Sequence, residues 1–170
     1  TPAPAGYSGG AITLALDASE APRKILHVKQ TIPVEPGSLT LVYPKWIPGE
    51  HGPTGPLTDV MGLRFTAGGK NLRWERDLVD MHAVKVEVPA GATVLDVAFD
   101  FISAASQEGF SSAASCTEKL MLLSWNQVLL YPAGRRADEI TFTASLKLPP
   151  GWQYDTALPV QREGAGQIQF

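Results

Sequence analysis

The sequence predicts an all-β protein, an antiparallel β-sandwich or a curved, saddle-like sheet structure of about nine to ten strands in one domain. Three observations lead there. Apolar and polar residues alternate with period two along most of the chain, the pattern of half-buried strands. Gly and Pro, 16 and 14 of the 170 residues, punctuate it at short intervals. Helical periodicity is nowhere sustained over as many as about eleven residues. A chain of 170 residues suits a single domain large enough to bury a core.

The elements follow in order. Residues 1–9, within "TPAPAGYSGG", read as a leading linker, and the domain runs over 10–170. Their small-residue and proline content is that of a stretch just after a removed signal sequence, which favours export. "AITLALD", "KILHVKQTI", "SLTLVYP", "GLRFTA" and "NLRWERD" read as strands, the last two joined by the turn residues Gly68, Gly69 and Lys70. In "HAVKVEVP", Val84, Val86 and Val88 oppose Lys85 and Glu87; in "TVLDVAFDFI", Leu95, Val97, Phe99 and Phe101 oppose Asp96 and Asp100. "VPAGA" between them reads as a hairpin loop. "SAASQEGFSSAAS", residues 103–115, is too small and polar to bury much area and reads as a mobile loop. "KLMLLSWNQVLLYP" is apolar on both faces, as expected of a central strand or of one covered on its second face. "EITFTASLKLP" sets Ile140, Phe142, Ala144, Leu146 and Leu148 against Thr141, Thr143, Ser145 and Lys147. "GQIQF" begins another alternating segment and stops, so a longer protein is expected to continue it.

Charge narrows the partners. Charged residues are 18% of the chain against a typical value of about 25%, and the net charge is -3. Basic residues are scattered singly apart from pairs such as Arg23-Lys24 and Arg135-Arg136, which leaves no footprint for nucleic acid or an anionic membrane. No apolar run reaches the ~18 residues needed to span a bilayer. The low surface charge implies that part of the surface is covered by something else.

No reaction chemistry can be assembled from the spacing of residues. His27, His51 and His82 are not placed as ligands on one element, and the lone Cys116 excludes a cysteine-based zinc cluster and an internal disulfide. Ser124 lies outside any nucleophile elbow, and Asp77 and Asp80 read as exposed loop carboxylates. No catalytic and no metal-ligating residue is predicted. What stands out is "YPKWIPGEHGPTGP", residues 43–56. Pro44, Pro48, Pro53 and Pro56 fix φ and remove backbone donors, so the stretch is an ordered, extended loop and neither helix nor central strand. Trp46 and Ile47 are its expected apolar anchors, while Glu50 and His51 at the tip have no reason to be buried. The loop either shapes a ligand or domain contact or covers one end of the fold.

"YPKWIPGEHGPTGP", followed by "GLRFTAGGKNLRWERDLVDMHAVKVEVPAG" and "LSWNQVLLYPAG", resembles the amino-terminal domain of the glycyl aminopeptidase family of zinc metallopeptidases, from about residue 10 to the end. The resemblance implies a β-rich domain that precedes a thermolysin-like catalytic domain with a His-Glu-x-x-His helix. That helix is absent from these 170 residues, so the chain alone is expected to be inactive and to hold no cofactor, with zinc belonging to the missing catalytic domain. Its expected partners are its own downstream catalytic domain and a peptide substrate, with no nucleic acid and no membrane. Family members are commonly exported, which implies a periplasmic or secreted bacterial location. More distant relatives place a Gln or Glu of a β-domain strand against the substrate's amino group. "SWNQVLLYPAG" looks like the counterpart, which points to Gln127 with Asn126 beside it, and adds Trp46, Glu50 and His51 of the loop as candidate substrate-binding residues. A stand-alone carbohydrate- or peptide-binding β-sandwich using Trp46, Trp74, Trp125 or Trp152 as a platform is the alternative. A purely structural or adhesive domain is a third reading.

Overall fold

A computed structural model describes residues 6–104 and 115–170. Its regular elements are strands and four single-turn 3-10 helices. The strands of the first half are β1 (Ile12–Asp17), β2 (Ile25–Pro33), β3 (Gly37–Val42), β4 (Val60–Ala67), β5 (Lys70–Leu72), β6 (Trp74–Arg76), β7 (Ala83–Val88) and β8 (Val94–Ile102). Those of the second half are β9 (Ser115–Cys116), β10 (Met121–Leu122), β11 (Tyr131–Pro132), β12 (Phe142–Lys147), β13 (Arg162–Gly164) and β14 (Gln167–Gln169). The all-β expectation holds. The strands among the described residues number fourteen and not nine or ten, because β9, β10, β11 and β13 have only two or three residues, too few to show alternation.

The strands form an eight-stranded sheet in the order β13-β14-β12-β1-β2-β8-β4-β5, a four-stranded sheet in the order β11-β3-β7-β6, and the β9-β10 pair. One hydrophobic core draws on both larger sheets, including Leu14, Leu26 and Phe99 from the first and Leu39, Leu41 and Val86 from the second. Alternation sets each strand's inner face: in β8, Leu95, Val97, Phe99 and Phe101 are buried while Val94 and Asp96 are exposed. The β4-β5 hairpin turns on Gly68 and Gly69 at φ 55° and 76°, the left-handed pair that a two-residue hairpin loop needs.

Three expectations are corrected. The sheet is mixed, because β1 pairs in parallel with β12 from Ile12↔Phe142 to Asp17↔Lys147. Most of the chain lies between these two strands, long enough for the crossover that parallel pairing requires. "VPAGA" is no hairpin: β7 belongs to the four-stranded sheet and β8 to the eight-stranded one, so this connection carries the chain across the core. "KLMLLSWNQVLLYP" is not a central strand. It contains only the two-residue β10, a 3-10 turn over Trp125–Gln127 and the two-residue β11.

The reason for the last correction is a polar residue on the inner face of β2. Gln30, 1% exposed, donates from Nε2 to the Leu130 carbonyl at 3.0 Å and accepts the Leu130 N–H on Oε1 at 2.8 Å. One amide thereby satisfies both backbone groups that a neighbouring strand would otherwise pair. The segment can cross the core, with Val128 and Leu130 buried, without joining a ladder. Most of the expected 103–115 loop, residues 105–114, lies outside the described residues, as do residues 1–5 of the expected leading linker. Within the rest of that linker Tyr7 is 6% exposed and forms a β-bridge with Val34.

Candidate functional site

The proline-rich loop grows out of the buried end of β3. Tyr43, fully buried, donates its N–H to the His82 carbonyl at 2.9 Å and its hydroxyl to the Gln127 carbonyl at 2.7 Å. Its ring stacks on His82, centroids 6.5 Å apart. Burial, with the charge of Asp59, pushes the phenol well above its ordinary range, so it stays a hydroxyl donor at any physiological pH. Asp59 is itself raised by burial.

Beyond Tyr43 the chain leaves the sheet. Ile47 is buried at 8% exposure, and Trp46 is turned outward at 63%. The loop is anchored by Tyr43 and Ile47; Trp46, expected as an anchor, is instead presented to solvent, and Pro48 is exposed as well. Pro48 and Gly49 then form a turn in which Ile47 C=O accepts the Glu50 N–H at 3.0 Å, with Gly49 at φ 89°. Pro at the second position and a left-handed Gly at the third are the type II pattern. Glu50 is half-buried and His51 exposed at the exit of this turn. The loop closes at its base where Gly55 N–H donates to Lys45 C=O at 2.9 Å. A Cβ on Gly55 would lie 2.0 Å from the Pro44 carbonyl oxygen, so only glycine fits there.

Asn126 and Gln127 sit in the Trp125–Gln127 3-10 turn and not on a strand. Asn126 is half-buried and Gln127 only 3% exposed. The Gln127 N–H donates to Ser124 C=O at 2.9 Å while its carbonyl accepts from Tyr43. The structure therefore joins the loop carrying Trp46, Glu50 and His51 to the turn carrying Asn126 and Gln127, through Tyr43.

Sequence reasoning missed this tyrosine although it opens the quoted motif, because nothing local marks its partner. Asp77 and Asp80 are loop carboxylates as read, but half-buried and ion-paired. Asp77 pairs with Lys85 of β7 at 2.7 Å and Asp80 with Lys45, so both carboxylates brace the loop between β6 and β7, and Asp80 ties it to the proline-rich loop. The hydrogen bond from Lys85, then those from the Asp80 and Val79 N–H groups, hold Asp77 far below the usual carboxylate range; Lys45 and the His82 N–H lower Asp80 in the same way.

Among the described residues no group of three or more His, Cys, Asp or Glu is arranged to hold a metal ion. His27 is engaged by Asp100 and Glu20, His82 is buried under Tyr43, and His51 stands alone at the loop tip. The tryptophans are not one platform. Trp74 packs edge-on against Phe65, and Trp46 stands on its own loop. Trp125 and Trp152 do share a groove of about 630 Å³ with Tyr154 and Phe170.

The comparisons with known proteins agree with this architecture. A family model described as the peptidase M61 N-terminal domain matches residues 13–170. Among solved structures, an aminopeptidase N family protein from Idiomarina loihiensis superimposes with a TM-score of 0.73 at 16% identity over 94% of this chain. An M1 zinc metallopeptidase from Deinococcus radiodurans does so with a TM-score of 0.52 at 16% identity over 97% of it. The chain spans 27% and 38% of the lengths of those two proteins. Among curated proteins none matches. With almost its whole length matched, and with a fold shared with those two structures, the chain belongs to the family of M61 peptidase amino-terminal domains.

Proposed function

We propose that this chain is the noncatalytic amino-terminal domain of a zinc-dependent aminopeptidase of the glycyl aminopeptidase type, exported by a bacterium to the periplasm or the medium. It docks on the catalytic domain of the same polypeptide and forms one wall of the substrate cleft. The observation that carries this reading is the 2.7 Å hydrogen bond from Tyr43 to the Gln127 carbonyl. Both partners are buried, so the loop with Trp46, Glu50 and His51 and the turn with Asn126 and Gln127 behave as one rigid body.

Their chemistry suits an amino terminus. A carboxylate at Glu50 and the amide oxygen of Asn126 are acceptors for an ammonium group, and a site that pairs that group rejects internal peptide bonds, which lack it. Asn126 is the outer member of the turn; Gln127 holds the turn from beneath through its backbone. Zinc, held by the catalytic domain, supplies the activated water.

The test uses the full polypeptide. Metal analysis is expected to give stoichiometric zinc, and peptides with a free amino group to be cleaved in preference to their acetylated forms. Asn126→Ala is expected to raise KM for the free peptides on the order of tenfold, the value of one hydrogen bond to a charged group. A full-length protein without zinc or peptidase activity removes the assignment. Activity with an unchanged KM removes the turn from the cleft.

The groove shared by Trp125 and Trp152 favours, as a second reading, a module that binds carbohydrate or peptide by itself. Quenching of tryptophan fluorescence in the isolated domain by such ligands distinguishes it.

A further inference from the structure

Two side chains in the loop between β6 and β7 stand wholly in solvent, Leu78 at 101% exposure and Val79 at 97%. Single exposed aliphatic residues are ordinary. This loop, however, is built to hold them out. Asp77 Oδ1 accepts the N–H groups of Val79 at 2.9 Å and Asp80 at 3.0 Å. The base is closed by Asp77 N–H to Ala83 C=O and Ala83 N–H to Asp80 C=O, each at 2.9 Å. Arg76 donates to the Met81 carbonyl, and Asp80 Oδ1 accepts the His82 N–H at 3.1 Å. The loop is a rigid support with two apolar knobs.

The charges around the knobs are compensated within the chain, Asp77 by Lys85 and Asp80 by Lys45. Within the loop itself, residues 77–82, the exposed side chains are apolar: Leu78, Val79 and Met81, the last 56% exposed. The Lys45–Asp80 pair also ties this loop to the one carrying Trp46. Two rigid loops, linked by an ion pair, thus present four exposed apolar side chains. Preorganised side chains lose little conformational entropy on binding, and an interface centre is more apolar than the rest of a surface, with aromatic residues and Met enriched.

We propose that Trp46, Leu78, Val79 and Met81 are the contact through which this domain docks on the peptidase domain of its own polypeptide, by insertion into an apolar pocket there. The inference rests on the function proposed above and names the surface involved. The occupant follows from three observations. The family is that of an amino-terminal domain, and the chain spans 27% and 38% of two structures with its fold, so the partner comes with the same polypeptide. Internal neutralisation of the loop's charges fits an apolar pocket and not a charged surface. Trp46 belongs both to this patch and to the loop that Tyr43 fastens to the candidate cleft, so docking here sets that cleft against the peptidase domain.

Hydroxyl-radical footprinting of the full-length protein tests it, with Met61, 53% exposed and on β4, as the internal reference. Trp46 and Met81 are expected to oxidise several-fold more slowly than Met61 in the native protein. In the Leu78→Asp/Val79→Asp variant they are expected to match it, while thermal unfolding splits into two transitions. Oxidation of native Trp46 and Met81 at the Met61 rate overturns the proposal. So does protection that depends on protein concentration with a doubled mass, which assigns the patch to a second copy. Zinc content and peptidase activity, measured on the same sample, keep the two readings apart: an active, zinc-loaded enzyme with an unprotected patch overturns the docking surface alone.

Discussion

His27 has both ring nitrogens against carboxylates, Nδ1 at 2.7 Å from Asp100 and Nε2 at 3.1 Å from Glu20. A neutral imidazole carries one N–H and could donate only one of these bonds; the imidazolium donates both. The hydrogen bond to Asp100 raises its pKa above the ordinary 6.5, burial opposes the rise and Glu20 adds to it. Asp17 lies opposite on β1 and Arg23 shares Glu20, so the cation sits within a mixed cluster. A raised folded-state pKa stabilises the fold fully below about 6.5, and that contribution is lost as pH rises through the folded value. The side chains are about two-fifths exposed, so the effect on stability is small. The titration itself is the better observable: His27 followed by NMR should have its midpoint above 6.5, and Asp100→Asn should bring it down. A native midpoint at or below 6.5 contradicts the clamp. The histidine was visible in the sequence as a strand residue, but its two acids, one seven and one seventy-three positions away, were not.

At the scale of elements, strands and turns were legible where the local rule is strict. Period-two patterns gave β1, β2, β7, β8 and β12, and the Gly68-Gly69 pair gave the β4-β5 turn. The 121–132 stretch was not legible, because apolar residues on both faces describe a central strand and a core-crossing coil equally well. Gln30, a hundred positions away, decides between them. The proline-rich loop was legible as rigid, though not in its orientation: Ile47 is buried and Trp46 exposed. Its closure yields a prediction. Gly55→Ala places a Cβ 2.0 Å from the Pro44 oxygen and is expected to cost about 1–3 kcal/mol as the loop base is forced apart. Gly52→Ala, whose Cβ would lie 3.8 Å from Thr54 Cγ2, is the control and should cost far less. Urea denaturation compares them, and equal midpoints for the two variants would show that the base is not closed as described.

For the molecule as a whole, the parallel pairing of β1 with β12 makes the last thirty or so residues part of the core structure. β12 and β14 lie outside β1 in the eight-stranded sheet and bury Leu146 and Ile168. Without them β1, whose Ile12, Leu14 and Leu16 are at most 2% exposed, becomes an edge strand paired only with β2. A chain ending at Asp138 should therefore lose its near-ultraviolet circular dichroism and bind a hydrophobic dye, and a native-like spectrum from that fragment would refute the pairing's structural role. The candidate site is likewise a property of the whole: its two segments are 84 positions apart at the Tyr43–Gln127 bond, and only the closed fold brings them together.

The sequence by itself determined the all-β class, most of the longer strands, the stiffness of residues 43–56 and the family, since these depend on local periodicity, on φ restriction by proline and on a run of family-marking residues. Only the tertiary structure decided the mixed sheet, the displacement of Asn126 and Gln127 from a strand to a turn, and the outward face of Trp46. Each of these is set by buried hydrogen bonds or packing between distant residues, which no local pattern encodes.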